Sequence, residues 1–210
     1  MVPFLDDKEM AMRLTVLACL VAIGALFGLA SAASAGTRVV VKTRTYDITG
    51  NTGLALVQAM DRKGPKHGFM THAIALTGYA VDWDLDTSQD NGVCRLRRAN
   101  GTLNLFYTFP RVASATTPTL RKRWTRFFAG VRAHEETHGR IAREMMRATE
   151  RSISGLRIAD DRSCYKTRRE AQRRIKATNA AYKAKQLAFD AREHRDGGHV
   201  QHLVIALVRP

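Results

Sequence analysis

The residues of this chain best suited to catalysis are two histidines and a glutamate in the segment VRAHEETHGRIA, residues 131–142. His134 and His138 are four residues apart, and on a helix this spacing puts both imidazoles on one face. Glu135 follows the first histidine, so its carboxylate can reach a water molecule held at the same ion. This HExxH pattern predicts a hydrolytic zinc site with two histidine ligands and a glutamate as general base.

The surroundings of the pattern argue against a chance match, although one arises about once per hundred chains of this composition. Apolar residues and both histidines recur at alternate spacings of four and three, which is typical of the buried face of a helix. Polar groups on such a face need compensation, and a bound metal ion provides it. The face consists of Leu120, Trp124, Phe127, Val131, His134, His138, Ile141 and Met145.

A hydrolytic zinc ion needs a third protein ligand and an open position for water. The metzincin arrangement is excluded, because Ile141 and Glu144 stand where that pattern requires glycine and histidine. The candidates lie in the C-terminal tail, and spacing alone does not choose between them. They are Glu193, His194, His199 and His202. The sequence does not assign the oxyanion stabiliser either, and the candidates are Tyr182, His72 and His199.

The N-terminus resembles an export signal. Residues 14–35 are apolar or small, follow a basic residue and close on an A-x-A sequence. This pattern predicts a signal peptide over residues 1–35, cleaved before Gly36. An uncleaved membrane anchor is the alternative, because the apolar run could span a bilayer. The first residues are acidic for a signal peptide, so translation could begin at Met10 or Met12.

The mature chain, residues 36–210, is predicted to form a single domain with a strongly basic surface. Without the leader it keeps 32 basic and 16 acidic residues, a formal net charge of +16. Such a charge favours anionic neighbours such as acidic lipid headgroups or cell-envelope polymers. We expect no specific binding of nucleic acid, and the pattern does not fix the oligomeric state.

The cysteines agree with export. Cys19 leaves with the leader, and the pair Cys94 and Cys164 remains. In an oxidising compartment these two are predicted to form a disulfide, with two buried thiols as the alternative. Neither belongs to a CxxC pair, so a thiolate zinc site is not expected.

The periodicity predicts an α+β fold, in which an antiparallel β-rich half precedes two long helices and the first of these carries HExxH. Strands are predicted at 37–48, 73–86, 93–98 and 102–109, the last two joined by a turn at Asn100-Gly101. Helices are predicted at 52–62, 118–154 and 167–192, and a loop at 193–198. In the strand at 73–86, Val81, Trp83 and Leu85 share one face.

Several landmarks, in their order along the chain, resemble the bacterial DUF922 family, whose members are described as predicted secreted zinc-dependent proteases. The landmarks are Tyr46, Gly64-Pro65, Trp83, Cys94, Phe109-Pro110-Arg111, Trp124, His134-Glu135-x-x-His138, Cys164 and Phe189-Asp190. The resemblance implies a signal peptide, a structural disulfide and a metallopeptidase-like helix.

The family tail, Tyr-Asp-x-x-Thr-x-His-Gly, is matched here only in part. Phe189-Asp190 keeps the aspartate, the threonine and glycine are missing, and the histidine comes one residue early, at His194. The resemblance therefore favours His194 as the third zinc ligand and His199 as the alternative.

These observations predict a secreted or periplasmic metallopeptidase that cleaves peptide or protein substrates with one Zn²⁺ ion. Its ligands would be His134, His138 and His194, and Glu135 would be the general base. The alternative is a basic protein that binds the cell envelope and in which the metal site is structural or vestigial. Its support is the net charge together with the basic clusters at residues 121–123 and 168–176.

Overall fold

A mixed four-stranded sheet and four helices form residues 36–66 and 72–209, the part of the chain that the computed structural model describes. The elements are β1 (Thr37–Ile48), α1 (Gly53–Lys63), β2 (Leu76–Asp90), β3 (Val93–Val112), α2 (Pro118–Ile153), β4 (Arg157–Ile158), α3 (Tyr165–His194) and α4 (His199–Val208). The predicted α+β class is confirmed. The predicted signal peptide lies outside the described residues. No helix in the described ranges is long and apolar enough to cross a membrane.

The central strand of the sheet is β3. It pairs antiparallel with β2 and, near its start, with β4. Its other neighbour, β1, runs parallel to it, with Thr37 opposite Gly101 and Ile48 opposite Val112. The prediction of antiparallel pairing is therefore wrong for β1. The physical reason is the connection, because α1 and β2 intervene between β1 and β3 and provide the long crossover that parallel neighbours require.

The predicted hairpin turn at Asn100-Gly101 is also wrong, because β3 continues through both residues. The hairpin between β2 and β3 turns instead at Asn91-Gly92, where φ is 48° and 81°. Positive φ at both positions is what a tight two-residue hairpin turn needs. Gly101 has a packing role: a Cβ there would lie 2.7 Å from Met146 Cε and 2.8 Å from Trp83 Cη2.

Replacement of Gly101 by valine is expected to lower the free energy of unfolding by about 1–3 kcal/mol, because the core at this position has no room for added carbon atoms. Urea unfolding measures the effect. Gly78→Val in β2 is the matched control, since a Cβ at Gly78 meets nothing within 4 Å. Valine suits an open strand position, so this variant should be as stable as the parent or more so. Equal losses in both variants would contradict the packing role.

The main core lies between one face of the sheet and helices α1, α2 and α4. On β2, Val81 and Trp83 pack against it from the predicted face. The predicted buried stripe of α2 is confirmed at Leu120, Phe127 and Met145, which are at most 2% exposed. The stripe therefore holds α2 against the sheet, and His134 is buried with it.

Helix α3 packs along α2 and is anchored at its start. Asp161 is buried and accepts hydrogen bonds from the Thr167 backbone and hydroxyl, at 2.8 and 2.7 Å, and from the Lys166 backbone at 3.1 Å. Burial acts to raise the pKa of Asp161, but these bonds and the Lys166 charge hold it below its ordinary value. The carboxylate thereby caps the helix.

The predicted disulfide is confirmed. Cys94 at the start of β3 is bonded to Cys164, the residue before α3. Cys94 is fully buried and Cys164 is 5% exposed. The bond therefore ties the sheet to the start of the helix whose far end reaches the candidate site.

Loss of the disulfide in Cys94→Ser/Cys164→Ser is expected to lower the free energy of unfolding by roughly 4 kcal/mol. The sequence separation is 70 residues, and a bond closing a loop of this size removes much entropy from the unfolded chain. Urea unfolding with and without a reducing agent gives the measurement. Reductant should destabilise the parent and leave the double variant unchanged; a parent insensitive to reductant under unfolding conditions would contradict this.

Candidate metal centre

The histidines of α2 face the final turns of α3. The side chains of His134 and His138 are 7% and 12% exposed. Phe189 of α3 covers both, with its ring centroid 4.8 Å from that of His134 and 5.0 Å from that of His138. The aromatic ring shields the imidazoles from water and sets the separation of the two helices at this point.

Asp190, next to Phe189, completes a group of three potential metal ligands with His134 and His138. Its Oδ1 lies 3.3 Å from His134 Nε2 and 2.8 Å from His138 Nε2. The two Nε2 atoms are 3.2 Å apart. Three ligand atoms from two helices therefore converge on one point.

The spacing of these atoms fits a zinc ion. Bonds of about 2.0–2.2 Å in a tetrahedron separate ligand atoms by about 3.3–3.6 Å. Two of the three separations are close to this range, and the His138–Asp190 separation is shorter by about half an ångström. A small outward shift of the Asp190 carboxylate, which is 40% exposed, would accommodate the ion. Two histidines and a carboxylate are also a ligand set used by zinc hydrolases.

Gln186 fixes the orientation of His138. Its Oε1 lies 2.6 Å from His138 Nδ1, and its Nε2 donates to the His138 carbonyl oxygen at 3.1 Å. His138 Nδ1–H therefore donates to Gln186, and Nε2 faces Asp190 and His134. A hydrogen bond at the ring nitrogen that does not face the metal typically orients a metal-binding histidine.

The group is suited to a cation. Burial by itself lowers the pKa of His138, but hydrogen bonds to Asp190 and Gln186 and the charges of Asp190 and Glu135 raise it above its ordinary value. Burial likewise acts to raise the pKa of Asp190, and the hydrogen bonds from both histidines hold it well below its ordinary value. Both shifts indicate that positive charge is favoured where the three ligand atoms meet.

The remaining ring nitrogen of His134 has no hydrogen-bond partner among the described residues, although it is buried. The Glu193 carboxylate approaches it, with Oε2 at 3.9 Å from Nδ1. Glu193, one of the tail residues considered as a ligand, therefore lies behind His134 and outside the metal-facing side. A modest closing of this gap would orient His134 as Gln186 orients His138.

Glu135 is buried and held by β2. Its Oε2 accepts a hydrogen bond of 2.6 Å from the Thr77 hydroxyl, which also contacts the Glu135 carbonyl oxygen at 3.0 Å. Thr77 thus fixes the Glu135 carboxylate, whose charge helps to raise the pKa of His138. Sequence reasoning missed this residue, because nothing in the spacing links β2 to the HExxH helix.

The other residues predicted for the site do not belong to this group of three ligands. His194 Nε2 lies 4.0 Å from Asp190 Oδ1, and its ring centroid lies 5.2 Å from that of His134. It therefore borders the group without belonging to it. Burial and the neighbouring His134 lower the pKa of His194. His199 starts α4 and is exposed, and His72 bonds to the Asp61 carbonyl oxygen through Nδ1.

Asp190 was within reach of sequence reasoning, because Phe189-Asp190 is one of the family landmarks. The family tail favoured the histidine His194 as third ligand instead, and the predicted helix ended at Arg192, whereas α3 continues to His194. On a continuous helix Gln186, Asp190 and His194 share one face.

Comparison with known proteins agrees with these landmarks. A family model described as "Bacterial protein of unknown function (DUF922)" matches residues 43–199. The match contains α2 with its HExxH pattern, both cysteines of the disulfide and Asp190. No curated protein and no solved structure matches the chain. The family match spans about three quarters of the sequence, and the chain therefore belongs to the DUF922 family.

Proposed function

We propose that this protein is an exported zinc metallopeptidase. The observation that carries the proposal is the convergence of His134, His138 and Asp190 on one point, together with a buried Glu135 whose charge helps to raise the pKa of His138. Two histidines and an aspartate would hold the ion and leave a fourth position for water. This ligand set differs from the one predicted from the sequence only in its third member.

The residues of the site have separate roles. When bound, a zinc ion supplies a Lewis acid that acidifies a water molecule and polarises the carbonyl group of the substrate. Glu135 accepts a proton from the attacking water and then gives it to the leaving amine. Thr77 donates to Glu135 Oε2 and keeps that carboxylate in position. Gln186 holds His138 with Nε2 facing the ion.

The substrates in this proposal are peptides or proteins outside the cytoplasm, in the periplasm or the surrounding medium. The Cys94–Cys164 disulfide supports such a location, because disulfides persist in oxidising compartments. The basic composition favours substrates or surfaces that carry negative charge.

Metal analysis and a hydrolysis assay test the proposal together. The purified protein should contain about one zinc ion per chain and should cleave a quenched fluorescent protein substrate. A chelator should abolish cleavage, and added Zn²⁺ should restore it. A protein that binds zinc tightly yet cleaves no peptide bond in a broad peptide mixture would leave a structural metal site and refute the peptidase.

A further inference from the structure

Apart from the metal centre, the chain has a cavity of about 560 Å³ between β1 and α2. Four arginines of α2 line one side: Arg132, Arg140, Arg143 and Arg147. Glu136 contributes a single carboxylate. None of these arginines forms a salt bridge in the described part of the chain. The cavity therefore has a surplus of positive charge that the protein itself does not neutralise.

The cavity is separate from the metal centre. Arg143 follows His134 by nine residues, and Arg147 follows His138 by the same number. Nine residues are about two and a half helical turns, so the arginines lie on the opposite side of α2 from the histidines. Any ligand bound here would contact the same helix as the metal without competing for the metal-binding residues.

The other side of the cavity is formed by β1 and is apolar. Val41 is 47% exposed, although it stands opposite the fully buried Leu105 and on the same face of the sheet. No described element covers it. Thr43, two residues later, lines the cavity on the same face. A ligand that fits must therefore present negative charge towards α2 and tolerate an apolar surface towards β1.

The strand itself offers a further binding feature. Among the described residues β1 pairs only with β3, so its outer edge has no strand partner, and on that edge the Asp47 carbonyl accepts a hydrogen bond of 3.4 Å from Lys63 Nζ. Such an edge can bind an extended polypeptide through main-chain hydrogen bonds. A phosphate polymer lacks donors for the strand carbonyls, and a second copy of this basic chain would bring like charges together.

The aromatic residues of the cavity exclude one other class of ligand. Tyr107 and Phe109 line the cavity but are only 6% and 4% exposed. Single-stranded nucleic acid binds by stacking its bases on exposed rings. These rings are covered, and Arg132 packs over Phe109 with its guanidinium carbon 5.8 Å from the ring centroid.

We propose that the cavity between β1 and α2 binds an extended acidic polypeptide segment. The backbone of that segment pairs with the free edge of β1, and its carboxylates face Arg132, Arg140, Arg143 and Arg147. Alternate side chains of a strand point the same way, so a segment with an acid at every second position fits this arrangement. The inference concerns binding alone and stands independently of hydrolysis.

Fluorescence anisotropy tests the inference with a labelled peptide of alternating glutamate and valine, made as long as β1 at 12 residues. A chelator is present throughout, so that the peptide stays intact. Arg140→Glu/Arg143→Glu should weaken binding roughly tenfold or more, because two attractive contacts become repulsive. Arg169→Glu/Lys176→Glu on exposed positions of α3 changes the net charge equally and should leave the affinity within about twofold. Circular dichroism establishes that both variants are folded.

A methylated peptide and a polyphosphate competitor separate backbone pairing from simple charge attraction. The same peptide methylated at every backbone nitrogen should bind much more weakly, because it has no N–H group left to donate to the carbonyl groups of β1. Equal binding of the methylated peptide, or equal losses in the two charge variants, would overturn the inference. Displacement by polyphosphate with no effect of methylation would show that the cavity recognises charge alone and would overturn it as well.

Discussion

Glu135→Gln is expected to reduce hydrolysis by a factor of about 10²–10⁴ while the zinc content stays at the parent level. Glutamine has nearly the same shape and can still accept the hydrogen bond from Thr77, which lies 2.6 Å from Oε2 in the parent. It cannot take a proton from water at neutral pH. The variant therefore separates proton transfer from metal binding, and both are measured on the same preparation.

The matched control is Glu144→Gln, which makes the same chemical change on the same helix. Glu144 forms no salt bridge among the described residues and has no role in the proposed site. Its activity and zinc content should equal those of the parent. Full activity in Glu135→Gln would remove the general-base role. Loss of zinc in that variant would mean that Glu135 acts on the metal site instead.

Asp190→Ala is expected to weaken zinc binding roughly 100-fold or more, whereas His194→Ala should weaken it less than about tenfold. Removal of a residue that hydrogen-bonds a metal ligand typically weakens metal binding about 10–100-fold. Removal of a ligand itself weakens it at least as much. Asp190 Oδ1 lies 3.3 and 2.8 Å from the two histidine nitrogens, while His194 Nε2 borders the group at 4.0 Å from Asp190. Competition with a chromophoric chelator measures both affinities.

The two substitutions control for each other, because each removes one side chain from the final turns of α3. Thermal unfolding without metal shows whether either variant has lost its fold. The reverse order of affinities would make His194 the third ligand, as the family tail favours, and would require the end of α3 to rearrange around the ion. Equal and small effects would leave the histidine pair without a third ligand from this helix.

The two long helices, α2 and α3, could be predicted closely from the sequence, whereas α4 at His199–Val208 was not predicted. The four-three spacing from Leu120 to Met145 identified α2 and its buried face, because a helix has one dominant period and the apolar residues follow it. The β-rich half was harder. Asn100-Gly101 has the composition of a hairpin turn, but composition cannot tell a turn from a glycine required by packing against Trp83.

The direction of β1 relative to β3 could not be predicted from the sequence either. Thr37–Ile48 has the β-branched composition of a strand, and this composition is the same whether its neighbour is parallel or antiparallel. Its pairing with β3 follows from how α1 and β2 are arranged between them. The cavity beside α2 depends on this pairing, because it puts β1 opposite the arginines of the helix.

The sequence by itself determined the HExxH pair, its burial on a helix and the two cysteines that form the disulfide, because each is a local spacing or a pairing with a single solution. Only the tertiary structure brought Asp190, Gln186 and Thr77 to the histidines, from α3 and β2. The physical reason is that α2 can supply two ligands from one turn, whereas the third must come from whichever element packs across it. That choice depends on the packing of α3 against α2, which no spacing within one segment encodes.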